Sequence, residues 1–113
     1  MPRHTATELR AEHHAAAGAR AQADATIRAA RRTLADVDAQ LGAIRSRFAQ
    51  TVEGADEEER AARLLLAVRS DPSYPELAAR ARDAEADLSA AQQTYRTETA
   101  RLLRVAVQIA EGT

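Results

Sequence analysis

The sequence predicts an all-α fold: an elongated antiparallel coiled-coil helical hairpin whose second arm is broken at residues 71–75. Three observations lead to this prediction. Aromatic residues make up only 3% of the 113 residues, whereas charged residues make up 29%. This composition, rich in Ala, Glu, Leu and Arg, is typical of long helices or coiled coils. Two long segments repeat apolar residues every 3.5 positions, and one proline-containing segment separates helical patterns. We expect residues 1–113 to form a single helical domain.

The first helix is expected over about residues 5–52. Thr5 and Glu8 have the spacing of a capping box, in which each side chain bonds a free backbone N–H of the first turn. No proline interrupts the pattern after Thr5. Gly54 is the predicted C-terminal stop, because glycine tolerates the left-handed conformation that commonly ends helices.

Two further helices are expected over about residues 56–70 and 74–110. Asp56 is the predicted N-cap of the second helix, and Glu59 and Arg63 are spaced as an i,i+4 ion pair. The segment "DPSYPE", residues 71–76, interrupts the helix because its two prolines cannot continue the backbone hydrogen bonds. Ser73 and Glu76 are a second candidate capping box.

The heptad repeat defines the predicted seam between the arms. In the first helix, position a holds His13, Arg20, Ile27, Leu34, Leu41 and Phe48, and position d holds Leu9, Ala16, Ala23, Ala30, Val37 and Ile44. In the third helix, a holds Ala81, Leu88, Tyr95, Leu102 and Ile109, and d holds Leu77, Ala84, Ala91, Glu98 and Val105. Seam alanines allow two helices to approach closely.

The repeat permits more than one register between the arms. With the tip near residues 55–56, facing residue numbers sum to about 111, and His13 faces Glu98. A slip of one heptad brings Arg20 opposite Glu98 instead. In both registers the acidic seam residue of the third helix meets a cationic one, so these polar residues are predicted to specify pairing. Tyr95 belongs to the same polar part of the seam.

The second helix is out of phase with this frame. Its apolar residues fall about one position later than the seam of the third helix predicts, so the break must absorb a phase shift. Two architectures are possible: helices 2 and 3 form one kinked arm along helix 1, or helix 2 folds back alone and helix 3 runs parallel to helix 1. The first is favoured, because helix 1 is about as long as helices 2 and 3 together. Leu64, Leu65 and Leu66 spread apolar side chains around more than one face. We therefore expect a partner chain or a second copy to cover them, with two hairpins packing as a homodimeric four-helix bundle.

Composition excludes several function classes. The net charge of −1 argues against a strong non-specific binder of nucleic acid or anionic membranes. Without cysteine there is no thiolate nucleophile, disulfide or thiolate metal site. The longest strongly apolar run is far shorter than the ~20 residues that span a bilayer. The N-terminus lacks an apolar signal-peptide region, so the expected location is the cytoplasm, with signal-less export as an open alternative.

The N-terminal His/Glu cluster is the candidate metal site. His4, Glu8 and Glu12 are spaced i, i+4, i+8 on one helix face, and imidazole and carboxylate groups bind zinc or iron. The Glu-x-x-His motif of di-iron bundles is missing, however. We therefore predict no cofactor and no metal, and treat these three residues as the alternative.

Catalysis and nucleic-acid binding are the two other functions for which the sequence contains candidate side chains. His13, Arg20 and Glu98 contain an acid and a base, but no glycine-rich loop or cysteine supports catalysis, so the chain is not expected to be an enzyme. Arginines cluster along the first helix, with aspartates interspersed and no aromatic residue among them: Arg28, Arg31, Arg32, Arg45 and Arg47. A solvated, ion-paired face explains that pattern, and a nucleic-acid-associated subunit is the alternative.

The sequence thus predicts a non-enzymatic coiled-coil interaction or structural protein. It would self-associate or act as a subunit of a larger assembly. The alternatives are a small helical-bundle metal or ligand binder that uses the N-terminal His/Glu cluster, and a nucleic-acid-associated helical subunit.

Overall fold

The computed structural model describes residues 5–112 and contains three helices. They are α1 (Ala6–Ala49), α2 (Glu57–Ser70) and α3 (Tyr74–Glu111), and no strand occurs among residues 5–112. The predicted all-α helical hairpin is confirmed. Within residues 5–112, none of the helices combines the length and the apolar character that crossing a bilayer requires.

Two of the three predicted N-terminal caps are confirmed. The Glu8 N–H donates to Thr5 Oγ1 at 3.1 Å, and the Thr5 N–H donates to Glu8 Oε2 at 3.4 Å, which completes the capping box. At the start of α2, the Glu59 N–H donates to Asp56 Oδ1 at 2.8 Å. These bonds occupy N–H groups that the first turn of a helix leaves without intrahelical acceptors.

The predicted stop of α1 at Gly54 is wrong. The helix ends at Ala49, where the Thr51 and Val52 N–H groups and Thr51 Oγ1 all donate to the Phe48 carbonyl. No residue among those described has positive φ. Gly54 instead allows the close approach of Arg60, because a Cβ at position 54 would lie only 2.9 Å from the backbone nitrogen of Arg60.

The break between α2 and α3 is organised by Asp71. Its Oδ1 accepts from the Ser73 N–H at 2.9 Å, its Oδ2 accepts from Arg47 Nη2 at 3.2 Å, and its carbonyl accepts from the Tyr74 N–H. The predicted Ser73–Glu76 box is therefore wrong, since an aspartate at the preceding turn does this work. The kinked-arm architecture is confirmed, because α3 continues antiparallel to α1 beyond the break.

The chain divides into two compact units by its internal contacts. One unit comprises residues 30–86, and the other comprises residues up to 29 together with residues from 87 onward. In the 30–86 unit, large apolar side chains from all three helices form the core: Val37, Leu41, Ile44, Phe48, Leu64, Val68, Tyr74, Leu77 and Ala81. From α2, only Val68 is fully buried, and Leu64 packs beside it. Both belong to the apolar residues of α2 that are out of phase with the seam of α3. The turn at Asp71 therefore provides the expected phase shift.

The terminal unit has a thinner seam. Every d position of α1 is buried, and in this unit those are Leu9, Ala16 and Ala23. The matching buried positions of α3 are Ala91, Leu102 and Val105. The heptad frame is therefore confirmed, and its alanines produce close packing rather than a thick core.

Burial selects between the two registers. Val105 is completely buried, and in the register that sums to 111 it would lie level with Ala6, an exposed residue in the first turn of α1. In the register that sums to 118 it lies level with His13, one full heptad further into the seam. The same register places Ala16 opposite Leu102 and Ala81 opposite Val37, so small residues face large ones. The structure therefore has the slipped register, in which Arg20 and Glu98 are level.

Candidate interaction surfaces

An ion-pair network lines one side of the terminal unit. Glu12 Oε1 accepts from Arg101 Nε at 3.1 Å and from Arg104 Nη2 at 3.2 Å. Glu98 Oε2 accepts from Arg101 Nη1 at 3.4 Å, and its side chain is only 16% exposed. Arg101 thus joins a carboxylate of α1 to the half-buried seam carboxylate of α3.

The network changes the protonation behaviour of its acid. The hydrogen bond from Arg101 lowers the pKa of Glu12, with smaller contributions from the charges of Arg101 and Arg104. The same hydrogen bond raises the pKa of Arg101. Both shifts favour the charged forms of Glu12 and Arg101, which is the state in which the two side chains form their ion pair.

Arg20 and Tyr95 form the second polar contact of this seam. The Arg20 guanidinium lies 5.8 Å from the centre of the Tyr95 ring, within the range of a cation–π interaction. Arg20 is half-buried and occupies an a position beside Ala16 and Ala23. The cationic seam residue of α1 that reaches this part of α3 is therefore Arg20, and it contacts the Tyr95 ring. Glu98 instead accepts a hydrogen bond from Arg101 on its own helix.

His13 lies in a different environment. It is exposed and lines an open groove of about 360 Å³ together with Arg10, Ala106 and Ile109. One wall of the groove comes from α1 and carries polar side chains, and the other comes from α3 and is apolar. The structure therefore does not bring His13 to Glu98.

The residues of the alternative metal site are not assembled by the described structure. His4 lies outside the described residues. Glu8 belongs to the Thr5 capping box, and Glu12 is held by two arginines. Among residues 5–112, no group of three or more histidine, aspartate and glutamate side chains has a geometry that could hold a metal ion.

The three leucines of α2 separate into two environments. Leu64 is half-buried and packs against the core of the 30–86 unit. Leu65 and Leu66 are 52% and 61% exposed. The expectation that this run spreads over more than one face is therefore met, because two of its three side chains point away from the hairpin core.

A second exposed apolar surface was not anticipated from the sequence. Leu103 is 69% exposed and Val107 is 47% exposed, and they lie four residues apart on α3. Ala100 and Ala106 beside them are also exposed. The available signal was the run "LLRVAV", residues 102–107, in which only Leu102 and Val105 occupy seam positions. We call Ala100, Leu103 and Val107 the α3 outer surface.

The arginine cluster of α1 is partly engaged in ion pairs. Arg28 pairs with Asp24 at 3.2 Å, and Arg47 pairs with Asp71 at 3.2 Å. Asp36 pairs with Arg80 of α3 at 3.0 Å. Acidic groups thus neutralise two of the five arginines in the predicted patch, and the aspartate between its two halves binds α3.

Comparison with known proteins leaves the geometry as the basis for function. No protein-family model, no curated protein and no solved structure matches this chain.

Proposed function

We propose that this chain is a non-enzymatic coiled-coil protein that self-associates, two hairpins packing into a helical bundle. The observation that carries this proposal is the exposure of large apolar side chains outside a seam that is already filled. Four large apolar side chains are exposed outside the buried core: Leu65, Leu66, Leu103 and Val107. Contiguous exposed apolar side chains mark interaction sites.

The exposed area of the chain supports the same proposal. Its accessible surface is 8273 Å², whereas a folded monomer of 12.2 kDa exposes about 6100 Å². A standard interface buries about 800 Å² on each partner. The chain therefore has enough surplus surface for association with a second hairpin.

The polar side chains also support a structural role. Glu8, Glu12, Glu98 and Arg101 take part in capping or in ion pairs, which hold helices in place. We extend the proposal to the cytoplasm as the place where the protein acts, and cell fractionation with an antibody against the chain tests that part separately.

The self-association is tested by sedimentation equilibrium between about 1 µM and about 1 mM, the range in which weak and strong dimers dissociate. The expected result is a mass that rises towards two chains, together with a melting temperature that rises with concentration because the folded dimer is favoured by mass action. A strictly monomeric mass over the whole range contradicts the proposal.

A further inference from the structure

We propose that the α3 outer surface is the homodimer interface, and that it binds the same surface of a second copy with the two α3 helices antiparallel. This inference rests on the proposed self-association and names the surface that mediates it. The surface is defined by Ala100, Leu103 and Val107, spaced three and four residues apart on one helix face. That spacing is the one required for a second helix to pack along α3.

The position of the surface on α3 leaves it free for a second helix. The seam residues Leu102 and Val105 are buried against α1, whereas Leu103 and Val107 lie on the opposite side of the helix. Among the large apolar side chains of residues 5–112, Leu103 has the largest exposed fraction. A partner helix can therefore cover these side chains without disturbing the hairpin.

The spacing is complementary to itself. When two α3 helices run antiparallel with Leu103 level with Val107 of the second copy, Val107 is level with the second copy's Leu103. The contact between Leu103 and Val107 then forms twice, once on each side of a single two-fold axis, as an isologous dimer requires. A second copy therefore fits this surface without any further apolar residue.

The charges beside the surface agree with the same pairing. Arg104 and Glu111 lie on one flank of the apolar residues, seven positions apart. In the antiparallel arrangement like flanks meet, so Arg104 comes within reach of Glu111 of the second copy, and the pair forms twice. Arg104 uses Nη2 for Glu12 and keeps further N–H donors, with 63% of its side chain exposed.

The competing surface is the Leu65–Leu66 pair of α2. These two leucines are adjacent in sequence, so they point in different directions from a helix and do not form a stripe. They provide the matched control, because they are similarly exposed and equally apolar.

The first experiment compares two double variants by sedimentation equilibrium. Leu103→Glu/Val107→Glu is expected to raise the dimer dissociation constant by about a hundredfold or more, because two buried apolar side chains are lost. Leu65→Glu/Leu66→Glu is expected to leave it within about threefold. Circular dichroism of both variants should show unchanged helix content, since all four side chains are exposed.

The outcomes separate this inference from the proposed function. A monomeric wild-type chain overturns both. A wild-type dimer that keeps its affinity in the α3 variant, or that dissociates only in the α2 variant, overturns this inference and leaves self-association standing.

A second experiment tests the antiparallel pairing and does not depend on destabilising variants. The chain has no cysteine, so Leu103→Cys and Val107→Cys each introduce a single thiol. The two variants are mixed and treated with a bismaleimide whose spacer is about 8 Å, close to the separation of packed helices. The expected main product joins position 103 to position 107. A majority of 103–103 and 107–107 products contradicts the antiparallel pairing.

Discussion

The 30–86 unit and the terminal unit use the same heptad frame but different chemistry. The core of the 30–86 unit contains Val37, Ile44, Val68 and Leu77, four buried branched side chains. Of the seven apolar residues that the terminal unit buries within residues 5–112, three are alanines, and Arg20, Tyr95 and Glu98 lie in or beside its seam. Burial of large side chains stabilises strongly but constrains register weakly, whereas polar seam groups do the opposite. We therefore expect the 30–86 unit to contribute more to stability and the terminal unit to contribute more to pairing specificity.

The largest effect should come from truncating matched leucines in the two units. Leu77→Ala is expected to lower the free energy of unfolding by about 3–4 kcal/mol, because it opens a cavity among large neighbours. Leu102→Ala should cost about 2 kcal/mol, because the level residue on α1 is Ala16 and less apolar contact is lost. Urea unfolding of both variants measures the difference. An equal or larger cost at Leu102 would contradict the proposed difference between the two units.

The turn at Asp71 should give the next largest effect. Asp71→Ala is expected to cost about 1–3 kcal/mol, because the Ser73 N–H and the Arg47 guanidinium lose a buried acceptor. Asp71→Asn keeps an acceptor for Ser73 and should cost less. Arg47→Ala is the control for the ion pair alone, and should cost under about 1 kcal/mol because Arg47 is 68% exposed. Thermal unfolding of the three variants measures their order of stability. An Arg47→Ala variant as unstable as Asp71→Ala would contradict this account.

Two glycine substitutions should have opposite signs. A Cβ at Gly18 meets nothing within 4 Å, so Gly18→Ala should stabilise α1 by about 0.5–1 kcal/mol through its better helix propensity. A Cβ at Gly54 would lie 2.9 Å from the nitrogen and from Cγ of Arg60, so Gly54→Ala should destabilise the tip. Chemical denaturation of both variants tests this, and stabilisation by the alanine at 54 would show that the tip relaxes freely.

The network of the terminal unit should be sensitive to acid. The folded-state pKa of Glu12 lies below its ordinary value of 4.5, because Arg101 hydrogen-bonds the carboxylate. Its contribution is therefore fully present above pH 4.5 and is lost as the pH falls through the lowered folded-state pKa. The free-energy difference between wild type and Glu12→Gln should thus favour wild type at neutral pH and shrink in acid. A difference that stays constant down to the acid limit of folding would argue against the pair.

The smallest effect on stability should come from the seam carboxylate. Glu98→Leu is expected to change the free energy of unfolding by less than about 1 kcal/mol, yet to allow the register that sums to 111. A slip of one heptad moves α3 along α1 by about 10 Å. Pulsed electron paramagnetic resonance between labels at the exposed Ala11 and Ala90 measures it, with Glu98→Gln as the isosteric control. An unchanged distance distribution and an unchanged assembly in the leucine variant would show that Glu98 does not specify register.

The periodic parts of the fold could be predicted from the sequence, and the non-periodic parts could not. The helices, the caps at Thr5 and Asp56 and the buried d positions follow from spacing alone. Register does not, because a heptad repeat fits equally well after a shift of seven residues. The burial of Val105 and the contacts between the arms, such as the ion pair between Asp36 and Arg80, distinguish the two alignments.

Local hydrogen bonds explain the remaining differences. Ser73 has capping-box spacing with Glu76, but its N–H donates to the Asp71 carboxylate instead. The same carboxylate also accepts from Arg47, which lies 24 residues away in the sequence. Gly54 suggested a helix stop, but α1 ends earlier, where the Thr51 and Val52 N–H groups both donate to the Phe48 carbonyl. Leu103 was missed because heptad analysis describes what faces the seam and does not predict what covers the outer face.

The pattern of ion pairs across the arms implies an order of folding. Arg47 and Asp71 close a loop of 24 residues, Asp36 and Arg80 close one of 44, and Glu12 and Arg104 close one of 92. The entropy lost on closure grows with loop length, but each pair formed nearer the tip shortens the loop left for the next. Folding should therefore nucleate around the Asp71 turn and proceed towards the termini. During synthesis on the ribosome, residues 5–29 therefore meet their native partners only after residues 87–112 have been made.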